Sequence, residues 1–272
     1  VLIAQLSDFH VRRADDPFPG IPDTAESLGR AAAALAGGRT AADVAVLTGD
    51  IVDRGLPEEY ARMREALAPL RMPLLALPGN HDSRDALLAA FADQPWRTEI
   101  DGFVQYAVED WPVRILCLDT TIPGRTEGEL CDRRLDWLAE RLEERVDSPT
   151  VVAMHHPPFA TGIGYMDAWG LVRGAGRLAS ILGAHPQVER VICGHIHRSV
   201  QRRWAGTVAM VAPSTAHQIE LDLRPEPDMA FRLEPPGYLL HAMGPDRALV
   251  SHLVPVGDFG PARSFGDGEP VG

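Results

Sequence analysis

Lysine is missing from this chain of 272 residues, and all 26 basic side chains are arginine. The arginines form no long run and the formal charge is -12, which excludes a broad basic face for nucleic-acid phosphates. Cysteine is sparse as well. Cys117, Cys131 and Cys193 are odd in number and widely spaced, implying neither a disulfide framework nor a CxxC zinc site. Cys117 and Cys193 fall inside apolar runs, where a small buried thiol is the ordinary reading. No apolar run approaches the roughly 20 residues of a membrane span. The chain opens on a strand-like run, Val1 to Leu6, without the charged and apolar regions of a signal peptide. These absences lead us to expect a cytoplasmic protein whose partner is a small molecule, with neither a membrane nor a nucleic-acid polymer involved.

What is present alternates. Val1 to Leu6, Val44 to Leu47, Leu74 to Leu77, Ile115 to Leu118, Val151 to Met154 and Val191 to Cys193 are short continuous apolar runs, as strands covered on both faces require. Between them, Thr24 to Ala36, Pro57 to Leu70, Asp85 to Ala92 and Asp132 to Val146 carry helical spacing. In the last of these, Leu135, Leu138, Leu142 and Val146 recur every three or four residues. After His197 the texture becomes strand and turn, with a hairpin expected at Trp204-Ala205-Gly206-Thr207. The pattern predicts a layered α/β sandwich over residues 1–199, a β-rich extension over 200–254 and an irregular tail over 255–272. The extension is expected to complete a second sheet and to supply a cap or dimerisation surface, with Trp204, Met229, Phe231 and Leu233 as exposed apolar residues.

Five fragments at the ends of these strands carry ligand chemistry: Asp8-Phe9-His10, Gly49-Asp50, Gly79-Asn80-His81-Asp82, His155-His156 and Gly194-His195-Ile196-His197. Ligands of α/β sheets gather at carboxyl ends of strands. Asp8 and His10, two apart, point the same way if the backbone is extended, and can grip one ion. His195 and His197 share that spacing, and serve two ions if the chain turns there. Mixed imidazole and carboxylate donors with one amide oxygen suit divalent iron, manganese, cobalt or zinc better than an all-oxygen calcium or magnesium cage.

Asp8-x-His10, Gly49-Asp50-x-x-Asp53, Gly79-Asn80-His81-Asp82, His155-His156 and Gly194-His195-x-His197 resemble the signature of the calcineurin-like metallophosphoesterases. The spacing and the His155-His156-Pro157-Pro158 run are similar to bacterial glycerophosphodiesterases and class III cyclic-nucleotide phosphodiesterases. The resemblance implies a four-layer α/β/β/α sandwich holding two divalent metal ions. It assigns Asp8, His10, Asp50 and His197 to the first, and Asn80, His156 and His195 to the second, with Asp50 bridging.

Two divalent cations, two carboxylates and a metal-bound hydroxide nucleophile leave about one positive charge, which complements a phosphodiester monoanion. His81 follows Asn80 and is expected to bind a phosphoryl oxygen or protonate the leaving alkoxide, with Asp82 orienting it. His217 looks like a substrate-side histidine. Asp53 and Arg54 are expected to brace the Asp50 loop, and His155 to fix its strand end. Loops Arg12 to Ile21, Thr161 to Trp169 and Ser214 to Leu223 are expected to set substrate choice. The function expected is hydrolysis of glycerophosphodiesters or 3',5'-cyclic nucleotides by a homo-oligomer. The alternatives are a phosphomonoesterase or protein phosphatase on the same metals, and a non-catalytic binding module.

Overall fold

A computed structural model describes residues 1–271. The first part of the chain alternates strand and helix: β1 (Leu2–Leu6), α1 (Thr24–Ala36), β2 (Val44–Thr48), α2 (Pro57–Ala66), β3 (Leu74–Leu77) and α3 (Arg84–Ala90). Strands β1, β2 and β3 pair in parallel, which requires the helical crossovers between them. Helix α1 begins at Asp23, whose carboxylate accepts from the N–H groups of Ala25 and Glu26. Helix α2 opens on Pro57, and the Glu59 carboxylate accepts from the N–H groups of Arg54 and Leu56. It stops four residues short of the expected Leu70, because Pro69 disfavours helical backbone at Ala68.

The pattern then repeats with β4 (Tyr106–Val108), β5 (Arg114–Leu118), β6 (Gly128–Glu129), α4 (Asp132–Glu144), β7 (Thr150–Met154), α5 (Gly164–Ala168), β8 (Leu171–Arg173), α6 (Ala175–Gly183) and β9 (Val188–Cys193). The remaining strands are β10 (Val200–Trp204), β11 (Thr207–Val211), β12 (Gln218–Ile219), β13 (Phe231–Arg232), β14 (Gly237–Met243) and β15 (Leu249–Pro255). Two large sheets result, ordered β15-β14-β1-β2-β3 and β10-β11-β9-β7-β5-β4. Side-chain alternation along β5 shows how they stack. Ile115 and Cys117 join the core shared with the first sheet, while Leu116 and Leu118 pack with Leu135 and Leu138 of α4 and Leu178 of α6. The layers are α/β/β/α.

The stretch after residue 199 divides between the sheets. Strands β10 and β11 extend the second sheet, joined by a two-residue turn at Ala205 and Gly206 with φ of 48° and 85°. Strands β14 and β15 instead extend the first, through antiparallel pairing of β14 with β1. Trp204 packs against the second core, whereas Met229, Phe231 and Leu233 are exposed. Among the described residues, no helix is long and apolar enough to cross a membrane. The carboxyl ends of β1, β2, β3, β7 and β9 meet at one place.

Candidate metal centre

Backbone strain marks that meeting point. Seven non-glycine residues have positive φ among the described residues, and five of them are Asp8, His10, Asp50, His195 and His197. A left-handed conformation is uphill for such residues and persists where the surroundings over-determine it. The Asp8-x-His10 segment is therefore turned, not extended as the sequence suggested; each residue leaves its strand and doubles back toward the centre. The glycines permit close packing. At Gly49, with φ of 91°, a Cβ would come within 2.5 Å of His155 Nδ1.

Two groups of donors converge here: Asp8, His10, Asp50 and His197, and His155, His156 and His195, with the atoms of each group within 4.8 Å of one another. Asp50 links them, since its Oδ2 lies 3.5 Å from His10 Nε2 and 3.4 Å from His155 Nε2. His195 and His197 part company at the turn, one to each group. Within the first group, His10 Nε2 and His197 Nε2 face each other at 3.0 Å.

Their far nitrogens are anchored. His10 Nδ1 is 3.3 Å from Asp53 Oδ1, and His197 Nδ1 is 3.1 Å from the His217 carbonyl. Such partners fix the tautomer and leave Nε2 free for a metal. Asp8 is buried and accepts the His195 N–H at 2.9 Å.

The two rings of the His155-His156 pair are anchored differently. His155 Nδ1 sits 2.8 Å from the Thr48 carbonyl, which turns its Nε2 toward Asp50 and to 3.2 Å from Asn80 Oδ1. His156 has both nitrogens engaged elsewhere, by Thr120 Oγ1 at 2.8 Å and the Thr126 carbonyl at 3.0 Å. Both rings stand in one donor group with His195, and the His155 Nε2 is shared between Asn80 and Asp50. Asn80, the chain's one asparagine, stands beside it. His195 Nε2 is buried without a partner. An orphaned imidazole nitrogen, two facing imidazoles and a shared carboxylate form a donor set that fits divalent cations.

The charges are strongly perturbed. Burial pushes the Asp8 carboxyl up, to about 6, despite His155 nearby. Asp50, equally buried, is nonetheless held well below the usual range, chiefly by His155 and His81. Burial would lower His155, but Asp50 raises it to about 9. Burial also depresses His195, to about 3, and takes His156 and His197 well below 6.5.

His81 donates its backbone N–H to Asp50 Oδ1, and its half-exposed ring lies 4.6 Å from that of His10. Its Nδ1 is 2.8 Å from the Asp53 carbonyl and 3.5 Å from Asp53 Oδ1. Against the pull of burial, Asp50 and Asp53 raise it to about 10. The two acids have thus exchanged their expected parts. Asp53 attends His81, while Asp82 braces the Asp50 loop, accepting from the N–H groups of Ile51, Val52 and Gly79 and from the Tyr60 hydroxyl.

His217 lies 4.7 Å from His197 and 5.7 Å from His10, ring to ring, and its buried Nδ1 has no partner. Phe18 and Phe231 flank it at 6.0 and 5.7 Å. Neither ring was singled out for the site by sequence, because nothing in either local pattern points to a histidine some two hundred residues or a hairpin away. The nearby arginines are paired: Arg12 Nε is 3.1 Å from Asp53 Oδ2, and Arg54 Nη2 is 2.8 Å from Asp16.

Known proteins share this chain's fold and family. A dimetal phosphatase from Danio rerio superposes with a TM-score of 0.65 at 13% identity, covering 94% of this chain and 99% of its own, which shows the shared fold. A probable glycerophosphodiester phosphodiesterase of Arcobacter nitrofigilis is 34% identical over 259 residues, 95% of this chain and 94% of that protein. A 3',5'-cyclic adenosine monophosphate phosphodiesterase of Escherichia coli is 31% identical over 221 residues, 81% of this chain and 78% of that protein. The family model for calcineurin-like phosphoesterases matches residues 1–199, and the chain belongs to that family.

Proposed function

We propose that this chain is a metal-dependent phosphodiesterase acting on small phosphodiesters at a centre of two divalent ions. The observation that carries the reading is Asp50, one carboxylate in reach of both donor groups. The first ion would be held by Asp8, His10, Asp50 and His197. The second would be held by Asp50, Asn80, His156 and His195, with His155 steadying Asp50 and Asn80. When bound, such ions acidify a water and clamp phosphoryl oxygens during in-line displacement. The imidazole-rich donors favour iron, manganese, cobalt or zinc.

The chain's own residues do the rest. His81, kept protonated by Asp50 and Asp53, donates a proton to the departing alkoxide, and such transfer contributes about 10²–10⁴-fold. His217 offers Nδ1 to a substrate oxygen. Arg12 and Arg54 are already neutralised by Asp53 and Asp16, so little fixed positive charge remains for a monoester dianion. The names of the relatives, glycerophosphodiester and cyclic-nucleotide phosphodiesterases, support diesters as the class.

The test is turnover of bis-p-nitrophenyl phosphate against p-nitrophenyl phosphate by metal-loaded protein. A diester preference is expected, and a strong monoester preference would sink the reading. The exposed Met229 and Leu233 support a homo-oligomer, which light scattering would check against the 29.6 kDa monomer. The free thiols Cys117, Cys131 and Cys193 support a reducing, cytoplasmic setting.

A further inference from the structure

The surroundings of the two donor groups differ in kind. Beside the first group stand Phe18 and Phe231, half-buried and 43% exposed respectively, both against His217. Arg12 lies 4.1 Å over the Phe18 ring, and Phe231 reaches back to Gly20, where a Cβ would meet it at 3.7 Å. The two rings therefore belong to one apolar rim.

Beside the second group, Asn80 opens on a cavity of about 390 Å³ lined by Ser83, Arg84, Thr121, Ile122 and Gly124, with no aromatic ring among the lining residues. The Arg84 guanidinium is bound to Asp119 at 2.6 and 3.1 Å, so this wall is polar and offers the exposed Asp85 carboxylate but no free cation.

Resting on the phosphodiesterase reading, the geometry points to a linear, unsymmetrical phosphodiester as the preferred substrate. One arm carries a flat aromatic group laid against Phe18 and Phe231. The other is a short polyol seated in the cavity beside Asn80. A 3',5'-cyclic phosphate ties both ester oxygens to one sugar and fills only one end. A diester with two small polyol arms leaves the rings uncovered, forgoing base–aromatic stacking.

Three diesters that all leave as alkoxides separate the cases: adenosine 5'-phosphate esterified to glycerol, glycerophosphoglycerol, and 3',5'-cyclic AMP. With metal-loaded protein, the first is expected to exceed each of the others in kcat/KM by about tenfold or more. Phe231→Ala should lower the ratio of the first to the second by about tenfold, mainly through KM, and Phe231→Trp should preserve it. Ile122→Trp, which fills the cavity, should lower the ratio of the first to the third. Equilibrium titration with a non-hydrolysable phosphonate analogue of the first compound should show the same losses in Kd without any turnover. Equal or better turnover of cyclic AMP or glycerophosphoglycerol, or ratios unmoved by these variants, would overturn this inference and leave the phosphodiesterase reading standing. Turnover of none of the three, nor of bis-p-nitrophenyl phosphate, would overturn both.

Discussion

The floor and the rim of this site follow opposite rules. On the floor, Asp8, His10, Asp50, His195 and His197 are buried and carry left-handed backbone. His10, His155 and His197 each have one nitrogen anchored to a carboxylate or carbonyl. On the rim, β12 and β13 pair through only two residue pairs, and Leu221, Leu223, Met229, Phe231 and Leu233 are exposed. What holds the rim is a set of surface ion pairs, Arg232 with Glu220 and Arg224 with Asp222 and Asp228. A floor in which every donor is fixed tolerates little substitution. A rim held by exposed charges can change its substrate without disturbing the ions.

The largest effect should come from the residue common to both donor groups. Asp50→Asn is expected to lower diester kcat by about 10³-fold or more, because it weakens both sites at once. Metal analysis of the purified variant should show fewer ions per chain, with far-ultraviolet circular dichroism unchanged. Retention of full occupancy and turnover would mean that the two groups do not depend on a shared carboxylate.

The adjacent histidines sharpen the comparison next. His156→Ala removes a donor from the second group and should cost one of two bound ions. His155→Ala removes a ring held by the Thr48 carbonyl that steadies Asn80 and Asp50, and should weaken metal binding by about tenfold while retaining both ions. The reverse order would make His155 the donor in place of His156. The family resemblance chose His156 from this pair; the strand pattern alone could not, and the reason is physical. Strand β7 is buried on both faces: Val151 and Ala153 join the core between the sheets, and Val152 and Met154 the core under the outer helices. Continuing that alternation puts His155 on the inter-sheet side, yet an apolar run with two buried faces does not declare which parity is which.

The same limit governs the rest of what was legible. The layers and the five ligand fragments could be read because periodicity and strand-end polarity are local signals. The exchange of parts between Asp53 and Asp82 could not, since Asp53 lies three residues after Asp50 and Asp82 two after Asn80, in equivalent-looking loops. Nor could the pairing of β14 with β1, a contact between the two ends of the chain.

Protonation tests the floor from another side. His195, His217 and His241 titrate near 3 in the folded chain because burial disfavours their charge, against an ordinary value of 6.5. Below 6.5 the unfolded chain therefore binds more protons than the folded one, and stability of the metal-free protein should fall as pH drops from 6.5 toward 3. His155 and His81 have the opposite sign. Raised to about 9 and about 10, they contribute stability below pH 6.5 that is lost as pH rises through those values. Thermal midpoints of chelator-treated protein across pH 4 to 10 should therefore pass through a maximum, and a flat profile would contradict the burial of these groups. Metal loading at pH 7 should release protons, because cations on Asp50 weaken the hold that keeps His155 protonated, and a pH-stat would count them.

The smallest effect belongs to the rim. Arg232→Ala breaks the pair with Glu220 that ties β13 to the residue following β12. Both side chains face solvent, where salt and water screen such pairs, so the unfolding midpoint should not move measurably. Phe231 is the neighbour of Arg232, however, and its ring is held near His217 by this short two-stranded pairing. Loosening β13 should raise KM for a diester with an aromatic arm while leaving kcat and bound metal as they were. A loss of kcat or of metal would show that rim and floor are mechanically joined, and that the substrate wall cannot be altered independently of the ions beneath it.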